Sequence, residues 1–366
     1  MSNTTLEKWE EKTLGEICKK ISAGGDKPDV FSKESTDICK VPIYSNGIEN
    51  NGLYGYTDVP AIMDEAITIS ARGTIGFVCK RCEPYYPIVR LISVIPNNYI
   101  NVDFMAYALK FMVPTGNGSS IPQLTVPMLK NKKIKYPPLL EQERIVAKLD
   151  KSFEAIDKVK ANAEQNLTNA KELFESELNK VFTENTEGWE EKTLKEVCKK
   201  ISAGGDKPEN FSKVITENCE VPIYSNGIEN DGLYGYTDVP AITEEAITIS
   251  ARGTIGFICK RVKPYYPIVR LISAIPNDHI NIDFMEYALK FMVPTGNGSS
   301  IPQLTVPMLK DKKIKYPSLL EQRKIVEKLD ALQEQTKKLE AIYTKKIKDL
   351  DELKQSILQK AFRGEL

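Results

Sequence analysis

The chain has 366 residues, enough for two or three domains. Its 50 basic and 50 acidic residues cancel, which argues against a stand-alone, purely electrostatic nucleic-acid binder and leaves any such grip to local patches or a partner. No apolar run reaches signal-peptide or membrane-spanning length, so the sequence predicts a cytoplasmic protein without membrane contact.

The text opens on Trp9-Glu10-Glu11-Lys12-Thr13-Leu14 and restarts at Trp189-Glu190-Glu191-Lys192-Thr193-Leu194, an offset of 180 residues (189 − 9). Over 9–142 against 189–322, only 22 of 134 positions differ, whereas the segments that follow diverge in letters but keep their length. The first block, residues 1–140, is rich in Gly, Pro, Tyr and β-branched residues. Segment 66–70 reads as a strand, 74–79 as a second joined through Ala71-Arg72-Gly73, and 88–92 as a third. Segment 103–111 reads as a short helix with Phe104, Tyr107, Ala108 and Phe111 on one face, and Asn101 or Asp103 near its start. A short turn of helix or strand is expected at 126–129, and Lys135-Tyr136-Pro137-Pro138 forms a rigid exit. This is the pattern of a mixed α/β (α+β) domain, repeated over 183–320.

Residues 141–182 change character: Gly and Pro vanish, and apolar residues recur in steps of three and four, the sign of a long amphipathic helix. The C-terminal stretch, 321–366, repeats the pattern. The expected seam runs through Leu149, Ile156, Leu167 and Leu178 in one helix and Leu329, Leu339, Leu350 and Ile357 in the other. Helices of about 40 residues rarely stand alone, so each is predicted to pair with the other as a coiled coil. The second must then run back along the first. That gives two long antiparallel helices with pseudo-twofold symmetry, about 60 Å long at ~1.5 Å per residue.

Catalytic signatures are lacking: there is no Walker-type loop, no HExxH, and a single histidine, His279, with Tyr99 at its place in the first copy. Cys79 and Cys82 have zinc-like spacing, but Val262 replaces the second cysteine in the repeat, so no metal or cofactor is expected. Asp58, Asp64 and Glu65 form no nuclease-like set. Tyr44, Tyr54, Tyr56, Tyr85 and Tyr86 are read as packing residues. Three polar stretches suit DNA, since amides and arginine match base edges while hydroxyls and lysines match phosphates. The first is the glycine-rich turn at 22–28, with Lys27. The second is the loop at 44–52 with Asn46 and Asn50, together with Arg72 and Thr74. The third is 115–123, with Asn117, Ser119, Ser120 and Gln123, followed by Lys132 and Lys133. Their counterparts are Lys207, Asn226, Asn230, Arg252, Thr254, Asn297, Ser299, Ser300, Gln303, Lys312 and Lys313.

Several segments resemble the specificity subunits of type I restriction-modification systems. Trp9-x-x-x-x-Leu14-x-x-Ile17 resembles the start of the family's recognition domain, and Ile69-Ser70-Ala71-Arg72-Gly73-Thr74-Ile75-Gly76 its middle. The Gly/Ser/Thr/Gln loop at 115–123, Pro137-Pro138-Leu139-Leu140-Glu141-Gln142 and the terminal Ala361-Phe362-Arg363-Gly364-Glu365-Leu366 extend the likeness over the whole chain. The resemblance implies a non-catalytic subunit that binds double-stranded DNA and two methylation subunits, and restriction subunits where the system includes them. S-adenosylmethionine and ATP would sit only on those partners. It further implies that the recognition domains read the two halves of a split target and that the helices set the spacer. Unlike the family's usual pair of different domains, this chain carries two nearly equal ones, which predicts an interrupted palindrome. The competing readings are a coiled-coil scaffold and a duplicated small-ligand or peptide-binding module without DNA specificity.

Overall fold

The computed structural model describes residues 9–113, 116–117, 123–184, 186–293, 296–297 and 303–366. The chain divides into a unit of Met1–Ala163 with Lys345–Leu366, and a second of Glu164–Thr344.

In the first unit, β1 (Glu10–Thr13) leads into the single-turn helix α1 (Leu14–Ile17), whose start is closed by the Glu16 carboxylate accepting from the Thr13 N–H and hydroxyl at 2.7 and 2.6 Å. Then follow β2 (Cys18–Ala23), β3 (Val41–Tyr44), β4 (Leu53–Thr57), β5 (Ala66–Ile69), β6 (Thr74–Ile75), β7 (Val78–Arg81), β8 (Tyr86–Pro87) and β9 (Ile92–Pro96). After these come α2 (Val102–Met112), β10 (Gly116–Asn117), α3 (Val126–Lys130), β11 (Lys133–Tyr136) and the central helix α4 (Leu139–Thr183). The main sheet has the order β2-β9-β5-β7, antiparallel throughout. Its inner strands β5 and β9 are buried along their whole length, as apolar runs must be when both faces are covered. Helix α2 packs on β5 and β7, and Phe104, Met105, Ala108 and Leu109 enter the core. A second sheet, β4-β3-β8, carries one antiparallel and one parallel pairing.

Two expected strands are divided. Segment 74–79 breaks at Gly76 (φ 83°), so β6 pairs with β10 while β7 returns to β5. Segment 88–92 is mostly a turn: Val89 and Arg90 have φ of 52° and 62°, and the strand begins only at Ile92.

Gln142, in the first turn of α4, is wholly buried. Its Oε1 accepts from the Asn101 N–H at 2.8 Å, and its Nε2 donates to the carbonyls of Pro137 and Tyr99 at 2.8 and 3.1 Å. Asn101 caps α2, accepting from the Phe104 N–H at 2.9 Å. One side chain thus ties the starts of two helices and the strand exit together. Further along, the Tyr107 hydroxyl donates to Asp150 at 2.5 Å; burial first, then this carboxylate, pushes its phenol well above the usual range.

The C-terminal helix (Leu319–Arg363) brings its last turns to this unit. Leu358 and Ala361 are buried in the core, and Phe362 stacks on Phe111 (5.4 Å between centroids, 11°) and tilts against Phe104 at 5.2 Å. Gly364 (φ 78°) lies against Trp9, and Arg144 Nη2 donates to the Leu366 carbonyl at 2.7 Å. Lys160 meets Asp351 at 2.6 Å, and Lys354 pairs with Asp157. A rising number on one helix meets a falling number on the other, so the two helices run antiparallel in this unit.

The second unit repeats the first element for element. Its main sheet joins Cys198–Ala203, Ile272–Pro276, Ala246–Ile249 and Ile258–Arg261 in the same order. Gln322 makes the same three bonds, to Asn281, His279 and Pro317. The aromatic slot is filled here by Phe182, at the end of the central helix, which stacks on Phe291 and touches Phe284 and Trp189. Glu177 pairs with Lys328, so the two helices also meet in this unit.

The helix seam is narrower than the expected set. Leu149, Ile156, Ala163 and Ala170 are buried at steps of seven, a heptad period. Leu329 and Thr336 follow the same step, with Tyr343, Leu350 and Ile357 half-buried beyond them. Leu178 is buried and Leu167 half-buried, but Leu339, three residues past Thr336, is 37% exposed; it falls outside the seven-residue stripe.

Candidate nucleic-acid interface

Each unit gathers five polar segments at one end of its two sheets; the first unit serves for both. The loop between β5 and β6 is closed by Ser70 N–H donating to Phe77 O (2.9 Å) and Gly76 N–H to Ser70 O (3.0 Å), leaving Arg72 and Gly73 (φ 74°) exposed at its tip. The short β6–β10 ladder sets Thr74 opposite Asn117, and the Leu124 N–H donates to Ala71 O at 3.1 Å. Gly116–Asn117 and Leu124 are therefore both tied to the loop that carries Arg72.

Asn46 fastens two further segments to this loop. Its Oδ1 accepts from the Ala71 N–H at 2.8 Å, and its Nδ2 donates to the Val89 carbonyl at 2.6 Å. The turn at 88–91 is held in turn by Gly24 and Gly25: Val89 N–H donates to Gly25 O at 2.8 Å and Arg90 N–H to Gly24 O at 2.9 Å. The approach requires glycine, since a Cβ on Gly24 would lie 2.5 Å from the Pro87 carbonyl. The sequence predicts Asn46 and Asn226 as DNA contacts. Both ends of each amide are committed to backbone, so they act as brackets inside the site.

The remaining expected residues fall into three groups. Lys27 and Lys207 are exposed, each with its ammonium over a phenylalanine ring at 4.3 and 4.4 Å. Arg72, Arg252, Asn50 and Asn230 are exposed, while Gln123 is half-buried and Gln303 exposed. A second group is turned to structural use. Lys132 donates to the carbonyl of Met112, the last residue of α2, and Lys312 to that of Met292, both at 3.2 Å, and Lys133 and Lys313 face Glu11 and Glu191 at 3.9 and 3.1 Å. The Thr74 and Thr254 hydroxyls are buried, without a hydrogen-bond partner among the described residues. In the third group, Asn117 and Asn297 stand in the short ladders, and Ser119, Ser120, Ser299 and Ser300 lie outside the described residues.

Two features escaped sequence reasoning. Lys33 Nζ sits 3.8 Å from the Tyr54 ring centre and donates to the Tyr54 carbonyl, while Phe31 packs on Tyr54 at 5.5 Å; Lys213, Tyr234 and Phe211 repeat this. Two cations and two rings thus form an exposed basic–aromatic patch, suited to a nucleic-acid backbone. Arg81, next to Lys80 at the end of β7, is buried: its guanidinium lies 3.5 Å from the Tyr44 ring centre, with Nε donating to Thr68 (3.0 Å) and Nη2 to the Asn51 carbonyl (2.6 Å). It braces the turn that carries Asn50 and Asn51, both at positive φ. Tyr85 is no stacking platform; it is fully buried, donates to Ser93 at 2.8 Å, and burial pushes its phenol up to about 12. Among the described residues no group of three metal-ligating side chains forms, and no helix is long and apolar enough to cross a membrane.

Known proteins share this plan. The type I restriction modification DNA specificity domain matches residues 6–169 and again 186–349. A type I specificity subunit of Mycoplasma pneumoniae is 33% identical over 298 residues, spanning 80% of this chain and 81% of that protein. A chain from a structure of a type I R-M system superposes with a TM-score of 0.78 at 21% identity, covering 100% of both chains. The HsdS subunit from Thermoanaerobacter tengcongensis gives 0.58 at 21% identity over 98% of this chain and 97% of its own. At that identity the two structures speak to the fold.

Proposed function

The chain belongs to the type I restriction modification DNA specificity family, and from that membership we propose that its two target-recognition domains read matching, inverted half-sites of one split target. It is a specificity subunit whose role is DNA recognition rather than catalysis. The observation that carries the palindromic reading is where the copies agree. Segments 22–28, 41–50, 65–77, 84–93 and 107–130 match their counterparts letter for letter, and the described residues that converge on the interface, from Gly24, Asn46, Ala71 and Val89 to Asn117 and Leu124, lie within them. The 22 differences lie elsewhere, eight of them at 29–51. Equal readers favour equal half-sites, and the antiparallel helices favour opposite strands. The loosely specified letters of the 45-residue helices suit a spacer ruler, which needs length and an apolar seam.

Two methylation subunits dock on this scaffold and carry the S-adenosylmethionine chemistry on adenine, and restriction subunits join where the system has them. Their enclosure of the duplex accounts for a specificity subunit of zero net charge. The test is to reconstitute the chain with its methylation subunits and sequence the methylated DNA. The expected motif is an interrupted palindrome with one modified adenine per half on opposite strands; an asymmetric motif overturns the proposal.

A further inference from the structure

The turn at 88–91 puts the wrong residues in the right backbone. The Leu91 N–H donates to Ile88 O at 3.0 Å, closing a β-turn whose two central residues, Val89 and Arg90, have φ of 52° and 62°. Turns with two positive φ values favour Asn and Gly, and a β-branched residue there is strained. The same domain obeys that preference elsewhere: the positive-φ pair at 50–51 is Asn-Asn, and Asn-Asp in the repeat. At 89–90 both copies keep Val-Arg. Neither side chain is recovering the strain by packing. Val89 is 50% exposed, Val269 49%, and Arg90 and Arg270 are exposed. The backbone beneath is over-determined by bonds to Gly24, Gly25, Tyr44 and Asn46. Strain that is tightly held, repeated, and spent on exposed side chains points to a contact outside the chain.

We propose that Val89–Arg90 and Val269–Arg270 are base-reading tips: the guanidinium pairs with the O6 and N7 of a guanine, and the valine meets the methyl of a neighbouring thymine in the major groove. A phosphate contact would not need this rigidity, because a flexible lysine on relaxed backbone serves it as well. The Asn46 bracket gives the tip a fixed register against Arg72. The assignment rests on the DNA-recognition reading above.

The test uses the full chain with its methylation subunits, selecting binding sites from random duplexes and titrating a specific and an unrelated duplex at one salt concentration. R90A/R270A is expected to weaken the specific duplex about ten- to a hundredfold, leave the unrelated one within about twofold, and erase the preference for G at one position per half-site. V89N/V269N, which suits the backbone, is expected to raise the melting temperature while erasing the neighbouring T preference. Equal weakening on both duplexes, with a shallower salt dependence, makes Arg90 a phosphate contact and overturns the proposal; so does an unchanged selected site. Failure of the unaltered complex to select any site would sink the recognition reading itself, and this assignment with it.

Discussion

Replacing Gln142 by leucine isolates the energetics of the helix-entrance bracket. The substitution keeps the volume of a fully buried side chain but removes one acceptor and two donors. The Asn101 N–H and the Pro137 and Tyr99 carbonyls lose their partner. A buried stranded group costs about 1–3 kcal/mol, and the Tyr99 carbonyl belongs to an exposed residue that water can reach, so Gln142→Leu should lose about 3–5 kcal/mol. Gln142→Ala should lose less, because water can enter the vacated space and satisfy the same groups. Gln142→Glu points a carboxylate at two carbonyl oxygens, which raises the pKa of the new acid in the fold. Its penalty should therefore be smallest below the unfolded carboxyl's pKa, near pH 4, and grow as the pH rises toward neutral. Hydrogen exchange over 102–112 and 139–150 gives the local readout, with Gln322→Leu as an internal replicate at 282–292 and 319–330. A Gln142→Leu protein within about 0.5 kcal/mol of the parent in that local stability would refute the reasoning.

Phe362→Ala should cost about 3 kcal/mol and loosen exchange in the Met1–Ala163 unit, while the Glu164–Thr344 unit, plugged by Phe182, stays protected. For the ion pairs between the helices, D157K should lose no more than about 1 kcal/mol and K354D should restore it, as a thermal-melt double-mutant cycle can measure. Alkylation at pH 8 followed by mass spectrometry should mark Cys82 first, since it alone is exposed; burial pushes the Cys18 and Cys198 thiols up to about 12, and both should stay unmodified. Deleting one turn from each helix, within 150–175 and 330–355, should shorten the spacer in the selected target and leave the half-sites unchanged. Unaltered spacing would remove the helices from that role.

The long helices were legible because a 3.6-residue period survives any sequence divergence that keeps the seam apolar. Which letters carry the seam was harder: Leu339 fits a pattern of threes and fours, but Thr336 sits on the heptad stripe and is the buried residue. The strand β5 shows as an apolar run, but Ile88-Val89-Arg90-Leu91 looks the same in letters, and the strand β9 begins only at Ile92. Bonds to Gly24, Gly25, Tyr44 and Asn46, all more than 40 residues earlier, hold it as a bend. The polar loops are visible in the sequence, but which of their side chains are tied to backbone and which are exposed is not. Asn46 has the chemistry of a base reader, and a backbone bond at each end of its amide fixes it as a bracket. Lys33 and Arg81 are ordinary cations in the sequence, and only the fold places one over Tyr54 and the other over Tyr44. Glu141-Gln142 carries a family resemblance whose physical content, one amide joining two helix starts, appears only with its partners.

The aromatic slots also impose an order on biosynthesis. The second slot receives Phe182 from chain made just before its own domain, whereas the first waits for Phe362. Lys345, where the returning segment of the first unit begins, is added 182 residues after Ala163 (345 − 163). At about 5–20 residues per second the ribosome needs on the order of ten to forty seconds for that stretch. Throughout it Phe104 and Phe111 stand without their plug, and the apolar face of the young helix lacks its returning strip. The half of the protein that is made first is the half that is finished last.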